Sequence, residues 1–342
     1  MEERATRAPS RVPVLKGEGQ IRSKELELIN SDNPTEIFEE QAVEAKGGFG
    51  KVVRAVHTVT NAVVAVKKVK HQNLKQQRDN LQEIMFMEEA KELPNIVKYY
   101  TSYEHPPHLW IVMEYVEGAP LSLFFSEKNG TLLQRLTEDM LAYLAQQILI
   151  GLEALHHHQI AHRDIKPSNI ILSIHGHVKL IDFGLCVDVS GGPDYHMVGS
   201  SYWMAPEVIR GALHSTPVDI WGFGICMAEL INGVAYSSMT NSVRMMFDVA
   251  IKGMPVIKQA DWSDAAKEFV ESCLQMDPQA RPTATQLLEH EFMEAILEDS
   301  PEYLGDWVHW AFYESDDDEE MVVSNGSLPK IKQIDEEISE DD

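Results

Sequence analysis

Cysteine is scarce, basic charge is outweighed, and no apolar run approaches the length of a membrane span. The three cysteines of this 342-residue chain, Cys186, Cys226 and Cys273, are odd in number, widely spaced and set in apolar surroundings. That excludes a disulfide framework as the organising device and points to a reducing compartment. No stretch reaches the roughly 18 consecutive apolar residues of a spanning helix, and the N-terminal region has no apolar core of signal-peptide length. The expected location is the cytoplasm, with the nucleus also compatible, and no membrane insertion is expected. Lys and Arg number 29 against 54 Asp and Glu, a formal net charge of −25. Charge of that sign argues against nucleic acid as a partner and is compatible with basic protein partners.

Against these absences stands one dense segment. His162-Arg163-Asp164-Ile165-Lys166-Pro167-Ser168-Asn169 is followed thirteen residues later by Asp182-Phe183-Gly184. Asp164 can accept a hydroxyl proton, Lys166 can sit against a migrating phosphoryl group, and Asn169 and Asp182 can hold Mg²⁺. Those are the tasks of phosphoryl transfer, whose loose transition state leaves the protein to position groups and neutralise charge. Taken singly either motif is a weak signal; the spacing of the two together makes it strong.

If this segment is catalytic, a nucleotide-binding region should precede it. Ala45-Lys46-Gly47-Gly48-Phe49-Gly50-Lys51-Val52 lies between two β-prone runs, and its glycines would let backbone N–H groups approach phosphate oxygens. Ala45 stands where a first glycine is expected. The run Ala62-Val63-Val64-Ala65-Val66-Lys67 reads as a strand ending in a cation. Lys68 competes with Lys67, but strand alternation sends the two to opposite faces, and the register favours Lys67. Sixteen residues on, Glu83 sits in a helical pattern with Leu81, Ile84, Met85 and Met87, suited to hold Lys67, with Glu88 and Glu89 as fallback partners. Leu109-Trp110-Ile111-Val112-Met113-Glu114-Tyr115-Val116 reads as a buried strand running into a connector. Adenine contacts are expected from the backbone around Glu114 and Val116, with Val52 and Ala65 above the ring, Ile171 beneath it and Met113 at the back. Two buried-looking acids, Glu207 and Asp219, are assigned structural work: Glu207 pairs with Arg281, and Asp219 holds the backbone around His162 and Arg163. The run His156-His157-His158 is read as helix C-terminal histidines facing the dipole rather than a metal site.

With these motifs in view, positions 37 to 293 resemble a eukaryotic protein kinase of the sterile-twenty (STE) group, and within it the PAK family. The narrowing motifs are Asn95-Ile96-Val97-Lys98-Tyr99, Leu109 to Tyr115, Asp182-Phe183-Gly184-Leu185-Cys186 and Met197-Val198-Gly199-Ser200-Ser201-Tyr202-Trp203-Met204-Ala205-Pro206-Glu207. The resemblance implies an α+β, two-lobed fold, with a small β-rich N-lobe over about 37–113 and a larger helical C-lobe over about 117–293. It also implies ATP and Mg²⁺ as cofactors, proteins as substrates, and serine or threonine as acceptor because of Lys166. A scaffolding pseudokinase is the alternative, and it would normally lack Lys67, Asp164 or Asp182. The chain departs from the family in four places. No segment resembles its GTPase-binding motif, His196 replaces the phosphorylatable activation-segment residue, Ser200 replaces a threonine, and Leu121 to Arg135 is longer than usual. Ser200 keeps a hydroxyl able to bridge Asp164 and Lys166. With a phosphate partner for Arg163 missing, Asp194 together with packing is expected to order the segment, with phosphorylated Ser190 or Tyr195 as rivals.

Outside the motifs, residues 1–36 read as a flexible arm with a net charge of +3 up to position 24. Residues 294–342 read as an extension with an acidic disordered tail, in which twelve acids and two lysines between Glu314 and Asp342 give −10.

Overall fold

The computed structural model describes residues 27–47, 50–126, 130–254 and 261–313. Its N-terminal region is built on a six-stranded sheet, beginning with β1 (Ile29–Asn30), a helical turn α1 (Pro34–Ile37), β2 (Phe38–Gly47), β3 (Gly50–His57) and β4 (Val63–Lys70). The helix α2 (Leu74–Ala90) follows, capped by the Asn73 side chain, which accepts from the Gln76 N–H. β5 (Tyr99–His105) and β6 (His108–Glu114) complete the sheet, in the order β1-β5-β6-β4-β3-β2. The arm expected over 1–36 is therefore shorter at its C-terminal end. Ile29 and Asn30 pair in parallel with Ser102 and Tyr103, because the edge of β5 offers unpaired backbone groups to a short apolar-polar dipeptide.

Alternation along β4 divides its residues between two environments. Val64 and Val66 join Phe38, Val53, Ala55, Tyr103, Trp110 and Val112 in a small outer cluster. Ala65 and Val69 face the main core with Ile84, Phe86 and Met87 of α2. Lys67 and Lys68 are separated in the same way. Lys68 Nζ lies 3.4 Å from the centroid of the Trp110 ring and 2.5 Å from Glu40 Oε1, while Lys67 goes to the α2 side.

The C-terminal region is helical, as the two-lobed expectation requires. It comprises β7 (Gly118–Pro120), a 3-10 turn at Leu121–Phe124, α3 (Glu138–His157), the short strands β8 (Ile160–Ala161), β9 (Ile170–Ser173), β10 (Val178–Leu180) and β11 (Val187–Asp188), then α4 (Pro206–Ile209), α5 (Pro217–Asn232), α6 (Ser242–Lys252), α7 (Asp264–Cys273), α8 (Ala284–Leu288) and α9 (Ser300–Tyr313). Every residue of α5 from Val218 to Ile231 is buried, the signature of a helix that serves as a core axis rather than a surface cover. Gly222 is what allows α5 so close to the 162–169 loop, since a Cβ there would sit 2.8 Å from the Ile165 carbonyl oxygen. Arg281 and Glu207 form the expected buried pair, bidentate at 2.6 and 2.7 Å, with the guanidinium also bonded to the Pro217 and Gln275 carbonyls. All three cysteines are free and buried. Among the described residues no helix is long and apolar enough to cross a membrane.

The extension after position 293 begins as part of this core. Leu304, Trp307 and Val308 of α9 are buried, Trp307 stacks on Phe124 with ring centroids 4.3 Å apart, and its Nε1–H donates to the Gln134 carbonyl at 3.2 Å. The unusually long 121–135 stretch is thus occupied, at Phe124 and Gln134, in receiving α9. The acidic tail lies outside the described residues, as does the basic part of the N-terminal arm.

Near the end of α5, buried Glu229 accepts from the Tyr236 N–H at 2.7 Å and from Trp203 Nε1–H at 3.0 Å. Burial outweighs these two bonds and pushes its carboxyl from 4.5 up to about 7. A raised acid contributes stability that is fully present below about 4.5 and is lost as pH rises through about 7. Glu229→Gln, which mimics the protonated acid, is therefore expected to gain on the wild type as pH rises from 4 to 9, by on the order of 3 kcal/mol. Denaturant melts at several pH values check this, and parallel pH dependence in the two proteins would refute it.

Candidate active site

The site is organised from below by Asp219 at the start of α5. Its carboxylate accepts from the N–H of His162 at 2.8 Å and of Arg163 at 2.7 Å, and His156 Nε2 lies 2.9 Å away. Burial alone would raise this acid, but His156, His162 and the Arg163 N–H hold it below the usual carboxylate range. The sequence reading of the three histidines is corrected here: His156 serves a specific buried acid rather than the helix dipole. His158 Nδ1 does meet the end of α3, 2.8 Å from the Ala154 carbonyl.

Held in this way, Arg163 adopts a left-handed backbone with φ 65°, uncommon for a residue with a side chain and sustained here by its surroundings. Asp164 then becomes the centre of a compact polar network. Its Oδ1 accepts from the Ser200 N–H at 3.0 Å, its Oδ2 from Asn169 Nδ2 at 3.0 Å, and Lys166 Nζ lies 2.9 Å from the same Oδ2. Lys166 also donates to Ser200 Oγ at 2.7 Å, so Ser200 touches both groups, Asp164 through its main-chain N–H and Lys166 through its hydroxyl, rather than bridging them with the hydroxyl alone. Asn169 spends Nδ2 on the Asp164 carbonyl and carboxylate, so its amide oxygen is the atom that could hold a metal.

A second cluster lies between β4, α2 and the Asp182 turn. Lys67 Nζ is 2.6 Å from Glu83 Oε1 and 3.0 Å from Asp182 Oδ1. Glu88 instead pairs with Lys91 at 2.6 Å, which settles the choice for Glu83. Burial would lower the Lys67 ammonium, yet the charges of Glu83 and Asp182 push it well above its ordinary value. Two carboxylates sharing one cation are not equivalent. The fully buried Glu83 is raised, first by burial, whereas Asp182, more open, is held low by Lys67 against its own burial. Asp182 also has a positive φ of 66°. Gln82, beside Glu83, ties α2 to the same turn by donating to the Cys186 carbonyl at 3.3 Å. Nothing in its sequence position singles it out.

At the expected glycine loop, Ala45 pairs with Val52, Lys46 with Lys51 and Gly47 with Gly50, closing the β2–β3 hairpin. Gly50 has φ 147°, and a Cβ there would collide with the Lys68 carbonyl, so only glycine fits. Gly48 and Phe49 lie outside the described residues. Met113 faces Ala65 across β4 and β6, and Val52 packs on the core that holds both. Ile171 is half-buried on β9 opposite Pro120. The Glu114 N–H donates to the Lys98 carbonyl at 2.8 Å and its carboxylate meets Lys179 at 3.1 Å. Both the N–H and the carboxylate of Glu114 are thus already engaged.

The stretch after Asp182 is anchored without a phosphate. Arg163 Nε donates to the Leu185 carbonyl at 2.7 Å, and its Nη1 donates to Asp194 Oδ2. His196 Nδ1 lies 2.7 Å from the other Asp194 oxygen. The Asp194 main chain exchanges two hydrogen bonds with His214, at 2.9 and 2.8 Å. Burial raises the Asp194 carboxyl less than His196, the Tyr195 N–H and Arg163 lower it. His214 escaped sequence analysis because a main-chain bridge twenty residues away leaves no trace in side-chain type.

The protein kinase domain family matches residues 41–293, and the chain belongs to it. Among relatives, it is 40% identical over 273 residues to the probable serine/threonine-protein kinase mkcB of Dictyostelium discoideum, covering 79% of this chain and 37% of that protein. It is 39% identical over 279 residues to mkcC, another probable serine/threonine-protein kinase of that organism, covering 81% and 30%. With the serine/threonine-protein kinase dst1, also from Dictyostelium, identity is 36% over 269 residues, 78% of this chain and 36% of that protein. The match thus spans about a third of the length of these curated relatives.

If Asp194 is what anchors the segment, Asp194→Ala should accelerate amide exchange over residues 188–198 by about 10-fold or more, since it strands the buried Arg163 guanidinium. His196→Ala, which removes a half-exposed partner, should change it less. Hydrogen exchange read by mass spectrometry checks both, and an unchanged Asp194→Ala protein would refute the anchor.

Proposed function

We propose that the chain is an ATP-dependent serine/threonine protein kinase of PAK-like type. The observation that carries this reading is the simultaneous presence of two complete clusters: Lys67 clasped by Glu83 and Asp182, and Asp164 tied to Lys166, Asn169 and Ser200. A scaffolding role without catalysis would leave these costly charged contacts without a purpose, and none of their members is missing.

Roles follow from position and charge. Lys67 binds the α- and β-phosphates of ATP, kept cationic and in place by Glu83. Val52, Ala65 and Met113 enclose the adenine, Ile171 closes it from β9, and the Glu114 carbonyl and Val116 N–H read its edge. The 45–50 loop covers the phosphates with backbone N–H groups. Asp182 and the amide oxygen of Asn169 are hard oxygen donors of the kind Mg²⁺ accepts, a metal usually held by one or two protein ligands together with phosphates. When bound, Mg²⁺ neutralises charge on the transferring phosphates. Asp164 takes the proton of the substrate hydroxyl as that oxygen bonds to the γ-phosphorus and the bond to the β-phosphate oxygen breaks, releasing ADP. Lys166, fixed between Asp164 and Ser200, offsets the developing charge.

The PAK-like assignment is supported by the motif around Asn95, the 109–115 strand and the 197–207 run. Its distinguishing element is Asp194 in contact with Arg163, which supports activity that does not need phosphorylation at position 196.

Incubation of phosphatase-treated protein with radiolabelled ATP, Mg²⁺ and a basic protein substrate tests the proposal. Label is expected on serine and threonine, and Lys67→Met and Asp182→Asn should each lower the rate by about 10²-fold or more with circular dichroism unchanged. Wild-type turnover in Asp182→Asn would overturn the metal assignment. No detectable transfer by the dephosphorylated wild type would overturn the phosphorylation-independent reading.

A further inference from the structure

The surface of α6 carries an apolar stripe that no described residue covers. Met239, just before the helix, and Val243, Phe247 and Ile251 within it are 63%, 75%, 66% and 60% exposed. They recur every four residues and so lie along one side. The opposite side is already used: Met245 and Val249 are buried in the core. Two cations border the stripe. Arg244 and Lys252 share a single carboxylate, Asp248, at 3.8 and 2.9 Å, so the rim is positive in a chain of net charge −25.

A complementary pattern exists in the same polypeptide. Leu328, Ile331, Ile334 and Ile338 recur at intervals of three, three and four, the spacing of one helix face. Ser327 followed by Pro329 is a helix-start signal. Asp335, Glu336 and Glu337 supply the negative charge that Arg244 and Lys252 would meet. We propose that residues 328–338 dock through this apolar pattern on the exposed face of α6. This inference does not depend on phosphoryl transfer.

Reach permits it. The fourteen residues between Tyr313 and Leu328 let the two extend up to about 50 Å apart, against a radius of gyration near 19 Å for a domain of this size. The starting point is also well placed. α9 packs through Trp307 on Phe124, and the segment containing Phe124 continues to Gly130 and Thr131, which bond to Ala235 and bridge Val234 at the entry to α6. Tethering supplies a local concentration in the millimolar range, enough for a face too small to hold a separate partner. A second copy of the chain is the weaker occupant, because one side of an eleven-residue helix falls well short of the ~800 Å² per partner of a stable dimer.

Disulfide trapping in the full chain tests the contact, and the buried native thiols leave introduced surface cysteines as the reactive ones. Phe247→Cys combined with Ile334→Cys should form an intrachain disulfide in glutathione buffer at least ~10-fold faster than Val59→Cys combined with Ile334→Cys, since Val59 is an exposed site on the N-terminal sheet region. Equal rates would overturn the proposal, and bridges found only between chains would assign the face to a second copy. Hydrogen exchange provides an independent reading without new cysteines. Amides of 328–338 should exchange about 10-fold slower in wild type than in Phe247→Asp, and free-peptide rates in the wild type would overturn it.

Discussion

The buried carboxylate of Asp219 is the constraint on which the catalytic arrangement rests. An acid inside a helix that is enclosed on every side is tolerable only if its oxygens are filled, and they are filled by the loop that carries the chemistry. Taking the N–H groups of His162 and Arg163 forces the chain into a left-handed step at Arg163. That step sends the guanidinium toward Leu185 and Asp194 and leaves Asp164 facing Lys166, Asn169 and Ser200. One buried charge in the core axis therefore determines both where Asp164 stands and which part of the following segment Arg163 can recruit.

Lys67 has the corresponding role between the two regions. It joins β4 of the sheet, α2 and the Asp182 turn through one ammonium, and Gln82 adds a second, neutral tie from α2 to Cys186. Because both acids depend on the same cation, a shift of α2 would alter the charge state expected of Asp182 as well as its position. Geometry and ionisation at this point cannot vary separately.

Much of this was legible in the residues. Period-two alternation was enough to choose Lys67 over Lys68, and the structure shows the physical reason, an aromatic platform at Trp110 that receives the other lysine. The pairing of Glu207 with Arg281 followed from the cost of burying either alone. Less visible were features made by tertiary contact between residues of ordinary type. His156 reads as a helix-end histidine until Asp219 arrives from 63 positions away. Ile29 and Asn30 look like part of a polar arm, yet a free sheet edge captures them. Asp194 was identifiable as a candidate because Arg163 required an anion, but its second ligand, His196, and the main-chain bridge to His214 follow only from the folded path.

The stack of Trp307 on Phe124 bears on where the cooperative unit ends. The family match stops at position 293, and a boundary drawn there would remove α9 while leaving its seat behind: Phe124 and the N-terminal part of α3 would lose their cover. Residues 294–313 are thus lining rather than trim. For this chain a piece able to keep its apolar interior dry includes Leu304, Trp307 and Val308, and the hydrophobic surface bared by an earlier cut would make solubility, before any loss of chemistry, the first property to fail.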